Sequence, residues 1–146
     1  MSYSDTGAFL GGSAVFERPV SSQLQLASEI ERGFPSASLD VVLRTLQSEA
    51  IPHSAIYAVV GSSRTLQRKR QQHTRLTREE SDRLARLARL AVRAGEALGS
   101  AENGRNWLGR PNRALDGRKP LELLATDAGS VLVEDVLVRI EHGILA

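Results

Sequence analysis

Residues 53–99 read HSAIYAVVGSSRTLQRKRQQHTRLTREESDRLARLARLAVRAGEALG. Ile56, Val59 and Val60 lie three and four apart, the spacing that gathers side chains on one face of a helix, here from about Pro52 to Gly61. Gly61-Ser62-Ser63 makes a short turn, and either serine can cap a further helix over Arg64 to Gln72. Thr77 and Glu80 then have the spacing of a capping box, in which two side chains satisfy two orphan N–H groups at a helix start. Leu84, Leu87, Ala91, Ala94 and Leu98 continue from it as an apolar stripe, widened by Leu90 and Ala97, with Gly99 after the end. Arg83, Arg86, Arg89 and Arg93 fall mostly on another face. A helix of about 23 residues here is over about 30 Å long, which assigns it to a second domain and makes it a candidate oligomer contact. The reading is all-α.

Helix, glycine turn, then a helix carrying Arg64, Thr65, Gln67, Arg68, Lys69 and Arg70 is the pattern of a helix-turn-helix whose second helix faces DNA. Arginine and lysine suit phosphates and guanine edges, and glutamine suits adenine. Two positions depart from the usual motif. The residue four before the turn glycine, normally small because the helices approach there, is Tyr57; the residue after it, normally apolar, is Ser62.

Upstream, Leu24, Leu26, Ala27 and Ile30 recur at helical spacing between a cap at Ser21 or Ser22 and a stop at Gly33. After Phe34-Pro35, a cap at Ser36 or Ser38 opens a helix with Leu39, Val42, Leu43 and Leu46 on one side, ended by Ile51-Pro52. Residues 1–20 show no period and read as a flexible arm. The chain therefore divides into an arm (1–20), a DNA-binding helical domain (21–74) and a C-terminal helical domain (75–146).

Downstream, residues 101–124 read AENGRNWLGRPNRALDGRKPLELL and hold the single tryptophan, Trp107, with Pro111 and Pro120. A short helix, a Pro-Asn turn and an Asp-Gly turn precede Pro120, which sits where a first helical turn needs no N–H. Such a corner needs something packed on it, and Trp107 and Leu108 are suited to that. Thr126 caps a last helix whose Val131, Leu132, Val133, Val136, Leu137 and Ile140 form a face broad enough to be sandwiched. Glu141-His142-Gly143 ends it, leaving Ile144, Leu145 and Ala146 as an apolar tail that needs a groove in its own domain or on a partner.

Charge sharpens the division. The net charge of +2 hides −3 over residues 1–63, +7 over 64–93, +2 over 94–119 and −4 over 120–146. A basic middle points to a phosphate-bearing or acidic partner. There is no cysteine, so thiolate metal sites and cysteine nucleophiles are excluded and a reducing cytoplasm is expected. No apolar run approaches a membrane span of roughly 20 residues. His53, His73 and His142 stand far apart without metal-ligand spacing, and no catalytic constellation or cofactor motif is present. The expectation is a binding protein without catalytic residues, metal or cofactor.

RTLQRKRQQ (64–72), LTREESDRLARLARLA (76–91), NWLGRPNRALDGRKPLELLATDAG (106–129) and VEDVLVRIEHGILA (133–146) together resemble antitoxins of the Xre/MbcA/ParS type, small proteins paired with RES-domain toxins. The resemblance implies an N-terminal Xre-like DNA-binding domain and a C-terminal toxin-binding domain. It further implies a homodimer that binds its own promoter DNA as an autorepressor and covers the active-site cleft of an NAD-degrading toxin. On that pattern the toxin-facing residues are Trp107, Leu108, Pro111, Asn112, Leu115, Gly117, Glu141, His142, Gly143, Ile144, Leu145 and Ala146. The DNA role falls on Arg64, Thr65, Gln67, Arg68, Lys69 and Arg70. The alternative is a stand-alone helix-turn-helix regulator whose C-terminal domain dimerises or senses a ligand.

Overall fold

The capping box at Thr77 forms and starts the helix on which the rest of the molecule is stacked. In the computed structural model, which describes residues 3–143, the Thr77 hydroxyl accepts from the Glu80 N–H at 3.1 Å and Glu80 Oε1 accepts from the Thr77 N–H at 2.7 Å. The described residues form eight α-helices: α1 Tyr3–Phe9, α2 Gln23–Arg32, α3 Ser36–Leu46, α4 His53–Val60, α5 Ser63–Gln72, α6 Arg78–Leu98, α7 Ala101–Leu108 and α8 Asp127–Glu141. Short 3-10 turns cover Gly12–Ala14, Arg113–Leu115 and Pro120–Ala125, and no strand occurs among the described residues.

Helix α6 is 21 residues long and ends at Gly99 with φ 95°, the left-handed geometry glycine tolerates. Along its length it packs against α1, α2, α4, α7 and α8. Helix α7 doubles back closely: a Cβ at Gly104 would lie 2.5 Å from the Gly95 nitrogen, so this crossing needs glycine. Helix α8 is tied to α6 by arginines at helical spacing, with Arg89 Nη1 2.5 Å from Glu134 Oε2 and Arg93 Nη2 2.6 Å from Glu141 Oε1. A single apolar core runs from Leu10 through Leu39, Ile56, Leu66, Leu84, Leu90 and Leu108 to Leu137. Helix α6 therefore serves both halves of the chain, although its length assigned it to the second.

Residues 3–20 are not a loose arm. Leu10 is completely buried, Phe16 and Val20 nearly so, and Phe16 meets Phe34 edge to face at 5.3 Å between ring centres. The Ser38 hydroxyl donates to the Leu10 carbonyl at 2.7 Å. These partners lie far along the chain, so no local period betrays them. The same bond takes Ser38 away from a capping role. Ser36 and Ser38 lie inside α3 rather than capping it, and Pro35 occupies the cap position.

Other caps fall where spacing places them: Ser22 on α2, Ser62 on α5 and Thr126 on α8 each accept from the backbone N–H three residues on. In α8, Val133, Val136 and Leu137 are buried, but Val131 and Leu132 are each 53% exposed. The helix is covered on one side, not sandwiched.

Candidate functional site

The turn between α4 and α5 is built as a helix-turn-helix needs. Gly61 closes α4, the Ser62 hydroxyl accepts from the Thr65 N–H at 3.4 Å, and fully buried Leu66 anchors α5. Both departures from the motif are explained here. Ser62 is the cap. Tyr57 is buried with its hydroxyl accepting from Arg70 Nη1 at 2.5 Å, so the bulk at the close approach carries a polar link between the helices.

The six candidate DNA residues divide into two groups. Arg64, Gln67 and Arg68 are exposed, and Thr65 is half-buried. Gln67 Nε2 donates to the Ser63 hydroxyl at 2.8 Å. Lys69 and Arg70 turn inward. Lys69 Nζ lies 2.6 Å from Glu80 Oε1 with its side chain 14% exposed, and Arg70 Nε donates to Asp40 Oδ1. Burial pushes the Glu80 carboxyl up, but hydrogen bonds from Lys69 and Thr77 outweigh it and hold Glu80 below its ordinary value. Burial likewise opposes the Arg70 cation, and hydrogen bonds with Asp40 and Tyr57 outweigh it, raising its pKa.

The corner after α7 is organised by Asn112. Its N–H donates to the Arg118 carbonyl at 3.0 Å, its carbonyl accepts from Leu115 and Gly117, and its side-chain oxygen accepts from the Ala114 N–H at 2.9 Å. Asp116 (φ 59°) and Gly117 (φ 80°) make the reversal in left-handed geometry. Leu108 and Leu115, expected to face a partner, are buried in the protein's own core and shape the corner from within. Trp107 is half-buried and Pro111 exposed. With Leu98, Asn103, Asn106, Arg110 and Asn112 they line an open groove of about 320 Å³. The corner rests on the connection between α3 and α4, since a Cβ at Gly109 would meet Ile51 Cγ1 at 2.9 Å and Ala50 Cβ at 3.0 Å.

Residues 25–89 match the model of the antitoxin Xre-like helix-turn-helix domain, and residues 93–143 match that of the antitoxin Xre/MbcA/ParS C-terminal toxin-binding domain. An Antitoxin Xre of Yersinia enterocolitica is 34% identical over 131 residues, covering 88% of this chain and 86% of the relative. This chain belongs to the Xre/MbcA/ParS antitoxin family. An Antitoxin Xre of Pseudomonas putida is 35% identical over 80 residues, 55% of this chain and 50% of that protein, and one of Photorhabdus laumondii is 34% identical over 73 residues, 49% of each.

The chain is thus an antitoxin of a toxin–antitoxin system with a helix-turn-helix domain and a toxin-binding domain. The two matches meet between 89 and 93, inside α6, and the boundary expected from the helix pattern lies before it, at 74/75. Within the antitoxin's toxin-binding segment, Glu141, His142 and Gly143 are exposed at the end of α8, with Glu141 paired to Arg93. Ile144, Leu145 and Ala146 lie outside the described residues. Residue patterns alone missed Asn103, Asn106 and Arg110 on the groove, and the exposure of Val131 and Leu132. The signal for the last two was an apolar run in α8 wider than one helix face. No helix of the described residues is long and apolar enough to cross a membrane.

Proposed function

We propose that this antitoxin neutralises a RES-domain toxin that degrades NAD by covering its active-site cleft, and that as a homodimer it binds its own promoter and represses it. The observation carrying the first part is the toxin-binding match over 93–143, a segment that offers two outward surfaces: the groove beside Trp107 and the exposed α8 pair Val131 and Leu132. Residues 120–146 are acidic, with five carboxylates against one arginine. Such a surface complements a basic cleft, speeding encounter and penalising wrong partners. In this reading Trp107, Pro111, Asn112 and the α8 end hold the toxin, and Ile144, Leu145 and Ala146 plug the cleft.

The second part is supported by the basic α5 beside a near-neutral remainder, a distribution suited to phosphate contacts. The test is co-expression with the product of the adjacent reading frame. Co-purification with a RES-type enzyme whose NAD consumption stops on addition of the antitoxin supports the proposal. A neighbour of another kind, with promoter binding retained, supports a stand-alone regulator instead.

A further inference from the structure

Helix α5 carries four cations, Arg64, Arg68, Lys69 and Arg70, within seven residues, yet they are not equivalent in place. Arg64 and Arg68 have no ion pair among the described residues and lie on the exposed stripe that continues through Gln67 and Gln71 at helical spacing. Arg70 borders that stripe, but its guanidinium is turned into the junction of three helices. Its guanidinium donates through Nε to Asp40 on α3 and through Nη1 to Tyr57 on α4. Asp40 and Arg70 side chains are about equally shielded, at 31% and 30% exposure. The planar guanidinium presents donors in a fixed fork, so two partners on two helices fix its plane, and with it the rotation of α5.

Asp40 also competes with any phosphate for Arg70, because its carboxylate already takes the Nε donor. The open polar groove between α3 and α5 is lined by Asp40, Arg44, Gln67, Arg70 and Gln71, and the carboxylate at its wall already neutralises the arginine. Tyr57 completes the arrangement from the position where the motif ordinarily has a small residue. The tyrosine and the arginine are therefore one device, since removing either leaves a polar group of the other without its partner.

Resting on the reading of α5 as the DNA-facing helix, we propose that Arg70 is a positioning residue, held by Asp40 and Tyr57 to set the angle of α5, and that Arg64, Gln67, Arg68 and Gln71 form the surface that meets DNA. A residue that neutralises a phosphate contributes about one unit to the slope of log affinity against log salt, whatever the sequence. A residue that only aims the helix contributes nothing to that slope. It affects the operator, where geometry matters, more than an unrelated duplex.

The experiment measures the full-length protein's affinity for its promoter fragment and for an unrelated duplex of equal length across a salt series, for wild type, R68A, R70Q, D40N and Y57F. Circular dichroism establishes that each variant is folded. The expected result is that R68A lowers the slope by about one unit on both duplexes. R70Q, D40N and Y57F should each weaken promoter binding about tenfold, leave the unrelated duplex within about twofold, and keep the wild-type slope. Y57F removes only a hydroxyl and carries the test if R70Q does not fold. A slope lowered by about one unit in R70Q, with both duplexes weakened alike, makes Arg70 a phosphate contact and overturns the assignment. Unchanged promoter affinity in Y57F and D40N overturns it as well. Absence of salt-dependent binding by the wild type refutes the DNA reading of α5 itself.

Discussion

Lys69 Nζ sits 2.6 Å from Glu80 Oε1, and the same carboxylate oxygen accepts the Thr77 N–H, so one buried acid both caps α6 and fastens α5 to it. The pair has a pH signature. Glu80 is held below its ordinary value by these bonds, so the stability it confers is complete above the unfolded-state pKa, about 4.3, and is lost as pH falls through the lower folded value. E80Q should lower stability by about 2 kcal/mol at neutral pH. Thermal unfolding of both proteins across pH should show that difference constant from pH 7 to about 5 and shrinking below about 4.

Leu10, Phe16 and Val20 belong to the core, so removing the segment up to Val20 should cost more than an arm would. Leu10 is fully buried, and L10A alone should destabilise by about 2 to 5 kcal/mol. Urea unfolding of L10A and of a chain starting at Ser21 measures this. A midpoint unchanged in both would mean that the segment adds nothing to the fold.

Gly109 lets the Trp107 corner lie against the connection that leads into α4. G109V should place side-chain atoms inside the space of Ile51 and Ala50 and destabilise by about 1 to 3 kcal/mol through overpacking. Because the corner must lift off that connection, toxin capture should weaken at the same time. Calorimetric titration of partner into the folded variant checks the second effect separately from the first.

Much of this was written in local spacing. The capping box at Thr77 and Glu80, the turn at Gly61, the left-handed pair Asp116 and Gly117, and the helix start at Pro120 are set within a few residues, and each appears where it was expected. What spacing could not reveal depends on residues distant in the chain. Leu10 is ordered by Ser38, Lys69 by Glu80, Arg70 by Asp40, and Leu108 and Leu115 by the shared core. A periodic pattern says that a residue is on a face, not what covers that face. Val131 and Leu132 show the same limit from the opposite side.

The exposed arginines of α5 give a direct test of the DNA reading. Replacing Arg64 and Arg68 together with alanine should weaken promoter binding and lower the salt slope by about two units, one per contact. Toxin capture should be unaffected, since α5 lies outside the matched toxin-binding segment. Gel shifts across a salt series, with co-purification alongside, read both.

NAD consumption by the partner toxin, measured with the full-length chain and with a chain ending at Gly143, tests the proposed blockade most directly. Burying Ile144 and Leu145 is worth roughly 1.5 to 3 kcal/mol each where they leave water entirely. Their loss should therefore weaken binding by about two to four powers of ten. The expected result is that saturating full-length antitoxin stops NAD consumption, while the shortened chain still co-purifies with the toxin but leaves consumption running. Full inhibition by the shortened chain would contradict the plug, and undiminished consumption with the full-length chain bound would contradict blockade of the cleft altogether.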